Sequence, residues 1–153
     1  MCFGCEEDRR DYLTLLERGA RDTGCSIHAY VLMANHVHLL LTPASTGGAT
    51  RLVETLKSAH GVRINWEPHS LRAVASRTYF FATMRYIESN PMRAGIVARA
   101  HEYPWSSHRA NAFGVNDKLV RPHSFYFGLG RSLTERQAAY RALFSLHVQV
   151  VSL

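Results

Sequence analysis

Apolar residues recur along this chain at two different periods, and each change of period marks an element. Between Glu6 and Ala20 the residues Tyr12, Leu13, Leu15, Leu16 and Ala20 return at helical spacing, with Gly24 beyond them as a stop signal. That predicts an amphipathic helix. Ser26 to Met33 is rich in β-forming residues, Ala34-Asn35 can turn, and His36 to Thr42 is again strand-like until Pro43 interrupts it. The pattern predicts a β-hairpin. Pro43 to Thr50 has the composition of a loop, after which Leu52, Val53, Leu56 and Ala59 predict a second helix closed by Gly61. No period holds between Val62 and Ser76, where Arg63, Trp66 and Arg72 mix basic and aromatic character on the way to Arg77, and the reading there is a loop with one strand at most.

Phe80, Met84 and Ile87 then form one stripe of a third helix, from Arg77 to about Asn90. Pro91 should end it, because proline lacks the amide donor and its ring clashes with the carbonyl one turn back. Pro91 to Val97 reads as a short helical turn. Tyr103-Pro-Trp-Ser-Ser107 reads as an irregular packed segment leading into another short helix, and Ser132-Leu-Thr-Glu135 as a capping box that opens a last helix through about Leu146.

The totals bound this picture without changing it. With 153 residues, 46% of them hydrophobic and 20% charged, the chain suits one globular domain over 1–153, its core at about 6–113 and a helical extension over about 114–153. No run approaches the roughly 20 apolar residues that span a bilayer, and the acidic start Met-Cys-Phe-Gly-Cys-Glu-Glu-Asp has no apolar signal core. A cytoplasmic protein is expected. A net charge of +6, from 18 basic against 12 acidic side chains, favours contact with phosphate backbones. Cys2, Cys5 and Cys25 are an odd set lacking the further ligands of a zinc site, and reduced thiols are expected.

The candidate chemistry begins on the second strand. Side chains alternate faces there, so His36, His38 and Leu40 point one way while Val37, Leu39 and Leu41 point the other. Two imidazoles about 6 to 7 Å apart along a strand can converge on one cation, although the same pair also fits two half-buried histidines bonded to nearby backbone. On the third helix Tyr86 and Asn90 are one turn apart, so an amide oxygen can complete a metal site while the phenol stays free to attack. Among seven tyrosines, spacing alone fits packing as well as it fits catalysis.

Three separated motifs add to this. Ala29-Tyr-Val-Leu-Met-Ala-Asn-His-Val-His-Leu-Leu-Leu-Thr42, Arg85-Tyr-Ile-Glu-Ser-Asn-Pro-Met-Arg-Ala-Gly-Ile-Val97 and Glu102-Tyr-Pro-Trp-Ser-Ser107 occur in that order. Together they resemble the REP-associated tyrosine transposases and their insertion-sequence relatives, His-x-His enzymes that cut single-stranded DNA, over roughly Phe3 to Phe144. The resemblance implies a ferredoxin-like α+β fold of the HUH endonuclease type, with an antiparallel sheet carrying the histidines and a helix facing it. It implies His36 and His38 as metal ligands with Asn90 as the third, Tyr86 as the nucleophile, and Mg²⁺ or Mn²⁺ as the cation. It also implies single-stranded or hairpin DNA as partner, and a homodimer. Arg85, Arg93, Arg63 and Lys57 are candidate phosphate contacts, and Trp66, Phe80, Phe81 and Trp105 are candidate stacking surfaces, with core packing the better reading for Phe80 and Trp105. The family pattern places a strand before the first helix that this sequence does not display, so the sheet edge beside the histidine strand is expected to lack that neighbour. Two other readings stand beside the enzyme: a DNA-binding remnant that no longer cuts, and a small metalloprotein using His36 and His38 with His28 or His60.

Overall fold

The computed structural model of the chain describes residues 3–60, 73–74 and 76–145. Arg63, Trp66 and Arg72, and with them most of the unpatterned stretch and Gly61, lie outside the described residues, as do Cys2 and Leu146.

Helix α1 spans Glu6–Thr23. The Asp8 carboxylate accepts from the N–H groups of Gly4 at 2.7 Å and Cys5 at 3.1 Å, satisfying donors that a helix start leaves open, and Glu6, Glu7 and Asp8 complement the positive end of its dipole. The helix stops at Gly24, whose φ of 67° is the left-handed conformation that a side chain would strain. Strands β1, Cys25–Leu32, and β2, Val37–Pro43, pair antiparallel from Leu32↔Val37 to Cys25↔Pro43. Helices α2, Gly48–His60, and α3, Arg77–Arg93, follow, then α4, His108–Phe113, α5, Ser124–Phe127, and α6, Leu133–Ser145. The capping box at the head of α6 forms as the sequence predicts: Glu135 N–H donates to Ser132 Oγ at 3.1 Å and Ser132 N–H to the Glu135 carboxylate at 3.3 Å.

The architecture is α+β, with an apolar layer on each face of the hairpin. On one face Ile27, Tyr30 and Leu32 pack with Tyr12 and Leu16 of α1 and Leu52 and Leu56 of α2, and Val37, Leu39 and Leu41 lean against this layer. On the other, Ala29, Val31, Met33 and Leu40 pack with Phe80, Met84 and Ile87 of α3. The odd-numbered residues of β1 change layer between Ile27 and Ala29 because a bulge there inserts His28 into the ladder. Among the described residues β2 has β1 as its one strand neighbour.

The far edge of β1 is covered by irregular chain rather than by a strand. Leu32 N–H donates to Trp105 O at 2.9 Å, Ser107 N–H to Tyr30 O at 3.1 Å, and Arg121 N–H to Ile27 O at 2.7 Å. Side chains complete the edge: Tyr103 donates its hydroxyl to Leu32 O at 2.6 Å and Asn111 its amide to His28 O at 3.0 Å. The backbone groups of a buried strand are thus satisfied without a third strand.

Helix α3 runs three residues past its predicted end and includes Pro91. The proline lies one turn from the C-terminus, where its fixed φ suits a helix and just one backbone bond is lost. Ala94 N–H still reaches Asn90 O, and Ile96 N–H reaches Pro91 O, both at 2.9 Å. The buried stripe of α3 also contains Glu88, which is fully buried. Its carboxylate accepts from Ser107 Oγ at 2.6 Å, Tyr140 Oη at 2.7 Å, Asn111 Nδ2 at 2.8 Å and His108 Nδ1 at 3.0 Å. A buried carboxylate is tolerable with its lone pairs so filled, and this one ties α3 to α4 and α6. No described helix is long and apolar enough to cross a membrane.

Candidate active site

The hairpin turn sets the first half of the site. Met33 N–H donates to His36 O at 2.9 Å, closing the turn and placing His36 immediately before β2. From there the alternation of the strand brings His36 and His38 to one side, the side facing α3, with ring centroids 4.7 Å apart and planes at 69°. Leu40, two further along, is buried against α3 as the same alternation requires. His36 Nδ1 lies 2.8 Å from Asn35 Oδ1. An amide oxygen can only accept, so Nδ1 carries the proton and Nε2 presents a lone pair, the arrangement by which a neighbouring group orients an imidazole ligand. Burial, and then the adjacent His36, push the His38 imidazole below its usual range, so it stays neutral near pH 7.

The second half comes from α3. Tyr86 lies across from the strand, its ring centroid 5.6 Å from that of His38, and it is 47% exposed. The Arg93 guanidinium stands 5.4 Å above the same ring. One turn on from Tyr86, Asn90 Nδ2 donates to the Tyr86 carbonyl at 3.0 Å, which leaves the amide oxygen without a partner among the described residues. Two imidazoles and an amide oxygen are a donor set suited to a borderline or hard divalent cation. Among the described residues no group of three His, Cys, Asp or Glu is placed to hold a metal.

Other sequence candidates separate on inspection. His28 is buried at the bulge with both ring nitrogens engaged, 2.6 Å from Arg121 O and 2.8 Å from Thr42 Oγ1, so it does not join His36 and His38. The His60 side chain lies outside the described residues. Phe80 and Phe81 are buried in the core and present no stacking surface. Trp105 is half-buried between both apolar layers, with the guanidiniums of Arg9 and Arg10 at 5.7 and 5.8 Å from its ring. Of the candidate phosphate contacts, Arg93 reaches Tyr86, Arg85 is half-buried beside it on α3, and Lys57 belongs to α2 in the layer across the sheet. Sequence patterning does not single out Glu88. Its signal is its spacing, since it follows Met84 by one turn within the buried stripe of α3.

A His-x-His pair on one strand of an antiparallel hairpin, facing a helix that carries an exposed tyrosine, defines an α+β fold of the HUH endonuclease type. The family of IS200-like transposases matches residues 3–90, a span that includes His36, His38, Tyr86 and Asn90, and the chain belongs to that family. No curated protein and no solved structure matches it.

Proposed function

We propose that this transposase-family chain cleaves and rejoins single-stranded DNA through Tyr86. The observation that carries the reading is the edge-on meeting of His38 and Tyr86 at 5.6 Å, with His36 a further 4.7 Å along the strand. His36 and His38, with the Asn90 amide oxygen, hold a divalent cation, Mg²⁺ or Mn²⁺, which supplies Lewis-acid polarisation of the scissile phosphate. The Tyr86 phenol oxygen attacks phosphorus, the bond from phosphorus to the 3′-oxygen breaks, and that oxygen leaves with a proton as a 3′-hydroxyl. The 5′-phosphotyrosine so formed keeps the number of phosphoester bonds constant, so attack by another 3′-hydroxyl rejoins DNA and releases the phenol. Arg93, Arg85, Lys57 and Arg63 bind backbone phosphates as charge-assisted donors. On the family resemblance the working form is a homodimer, which light scattering at increasing concentration would read.

The test is direct. Purified protein is incubated with labelled hairpin DNA carrying a single-stranded flank and a divalent metal, then denatured. A labelled protein band that disappears in Tyr86→Phe supports the reading. Hairpin binding without such a band under any divalent metal replaces it with a DNA-binding remnant.

A further inference from the structure

Beyond Asn90, where the match to the family ends, the charge of the chain changes character. That part holds eight basic residues against three acidic ones, so all but one unit of the net +6 lies there. The three carboxylates are engaged within the fold. Glu102 accepts from the N–H groups of Ala98 and Arg99 at 3.1 Å, Asp117 from Leu119 N–H at 2.9 Å, and Glu135 from Arg131 N–H at 2.7 Å. The arginines lean on carbonyl oxygens instead. Arg109 Nε donates to His101 O at 2.6 Å and Arg141 Nη1 to Ala112 O at 2.6 Å, and among the described residues neither forms an ion pair. A neutral carbonyl fixes a guanidinium in place without cancelling its charge.

Beside Arg141, and one turn from Arg109 along α4, is an aromatic ring that the core does not claim. Phe113, at the end of α4, is 46% exposed. The Arg141 guanidinium lies 5.2 Å from its centroid and the His101 ring meets it edge-on at 5.7 Å. Arg109 precedes Phe113 by four positions on the same helix, which puts both on one face. Fixed cations near an exposed ring are what binds an unpaired strand: phosphates go to the guanidiniums and a base stacks on the ring, with no demand on sequence.

We propose that Phe113, Arg109, Arg141 and His101 form a second nucleic-acid site, a platform for an unpaired strand apart from Tyr86. The separation follows from α3. His108 and Asn111 of α4 hold Glu88, and Glu88 is two residues from Tyr86, about 200° around the helix. A strand engaged at both places runs round α3. The inference deepens the reading of the chain as acting on single-stranded DNA, and takes from that reading its choice of DNA as the ligand.

The test uses the full chain and two labelled probes: a single strand longer than the roughly 4 to 16 nucleotides such a site covers, and a blunt duplex of the same length. Binding is followed by anisotropy across a salt series, with thermal melts confirming that variants fold. Losing two phosphate contacts in Arg109→Gln/Arg141→Gln should flatten the slope of log K against log salt by about 1.4 for the single strand. Phe113→Ala should weaken the single strand by about fivefold or more and the duplex far less. Both variants should still form the Tyr86 adduct on a short oligonucleotide. Wild-type affinity and slope in both variants overturn the platform while leaving the adduct, and with it the proposed function, standing. Platform-dependent binding with no adduct from any variant sustains the platform and removes the proposed function.

Discussion

The ring of His38 meets the ring of Tyr86 edge-on, centroids 5.6 Å apart, and so joins the histidine strand to α3 by a contact between two side chains that could each do chemistry. Behind this contact, buried Leu40 and Met84 belong to one apolar layer, which fixes how close strand and helix approach. The phenol is therefore set by packing.

Tyr86→Phe is the sharpest probe of that arrangement. It keeps the ring, its contact with His38 and the Arg93 guanidinium above it, and removes one oxygen. Stability should change by less than about 0.5 kcal/mol, as for an exposed position, and hairpin binding should persist while the covalent adduct is lost. An adduct surviving in Tyr86→Phe would move the nucleophile elsewhere; Tyr79, exposed on the same helix, would be the next to test, since Tyr103 is buried with its hydroxyl on Leu32 O.

The imidazole pair predicts a defect of another kind. His36→Ala removes a proposed ligand, and Asn35→Ala removes the amide oxygen 2.8 Å from His36 Nδ1 that fixes the ring and its tautomer. Loss of such an orienting partner typically costs about 10- to 100-fold in metal affinity. Both variants should need more divalent metal for cleavage, His36→Ala the more severely, with Mn²⁺ restoring part of the rate. A metal titration of adduct yield reads this, and an unchanged midpoint in both would sink the ligand assignment.

Glu88 predicts stability. Burial, and then the Glu88 carboxylate, hold the Tyr140 phenol well above its usual range, so Tyr140 remains a donor at any ordinary pH. Tyr140→Phe removes one bond to a charged acceptor and should cost about 1.5 to 3 kcal/mol. Glu88→Ala strands four donors in the interior and should cost at least about 3 kcal/mol. Denaturant melts would show the order, and a Glu88→Ala protein as stable as wild type would contradict the network.

Acid should weaken the fold through His28. Burial, chiefly, lowers its pKa from 6.5 in the folded state, with neighbouring His123 acting the same way and the bond to Arg121 opposing. Below pH 6.5 the unfolded chain therefore takes up a proton that the folded chain resists, and stability falls as pH drops from about 6.5 through the lower folded value. His38 contributes with the same sign. Melting temperature should decline between pH 7 and pH 5, and His28→Gln should make the decline shallower. An equally steep decline in His28→Gln would assign the effect to other groups.

Much of the framework is legible in the sequence because its periods are clean. The alternation from Val37 to Leu41 is enough to assign His36 and His38 to one face, and the spacing of Phe80, Met84 and Ile87 locates the buried side of α3. Two features are hidden by competing patterns. Strand β1 is buried on both faces, so the polar Ser26 and His28 within it mark no solvent face, and the bulge at His28 leaves no signal in the pattern. The stop expected at Pro91 does not occur because one lost bond near a helix end is a small cost that packing of the proline itself offsets. Glu88 escapes notice because a charged residue on a helix ordinarily faces water, and its partners lie on segments whose approach no local pattern encodes. The cover on the β1 edge is of the same kind, since residues 103–121 reach it without forming a third strand.

The anchoring of Glu88 also fixes a mechanical tolerance. Interdigitated apolar side chains resist the rolling of a helix, but through many individually weak contacts that can readjust. A carboxylate held by donors from α4 and α6 cannot roll without breaking bonds on one side. With side-chain tips roughly 6 Å from the axis, a 10° roll would carry the Tyr86 side of α3 about 1 Å along its arc, and a displacement of about 1 Å in a reacting group can cost 100-fold in rate. The C-terminal helices thus act on the far side of α3 as a keyway, holding the angular setting of a phenol they do not touch.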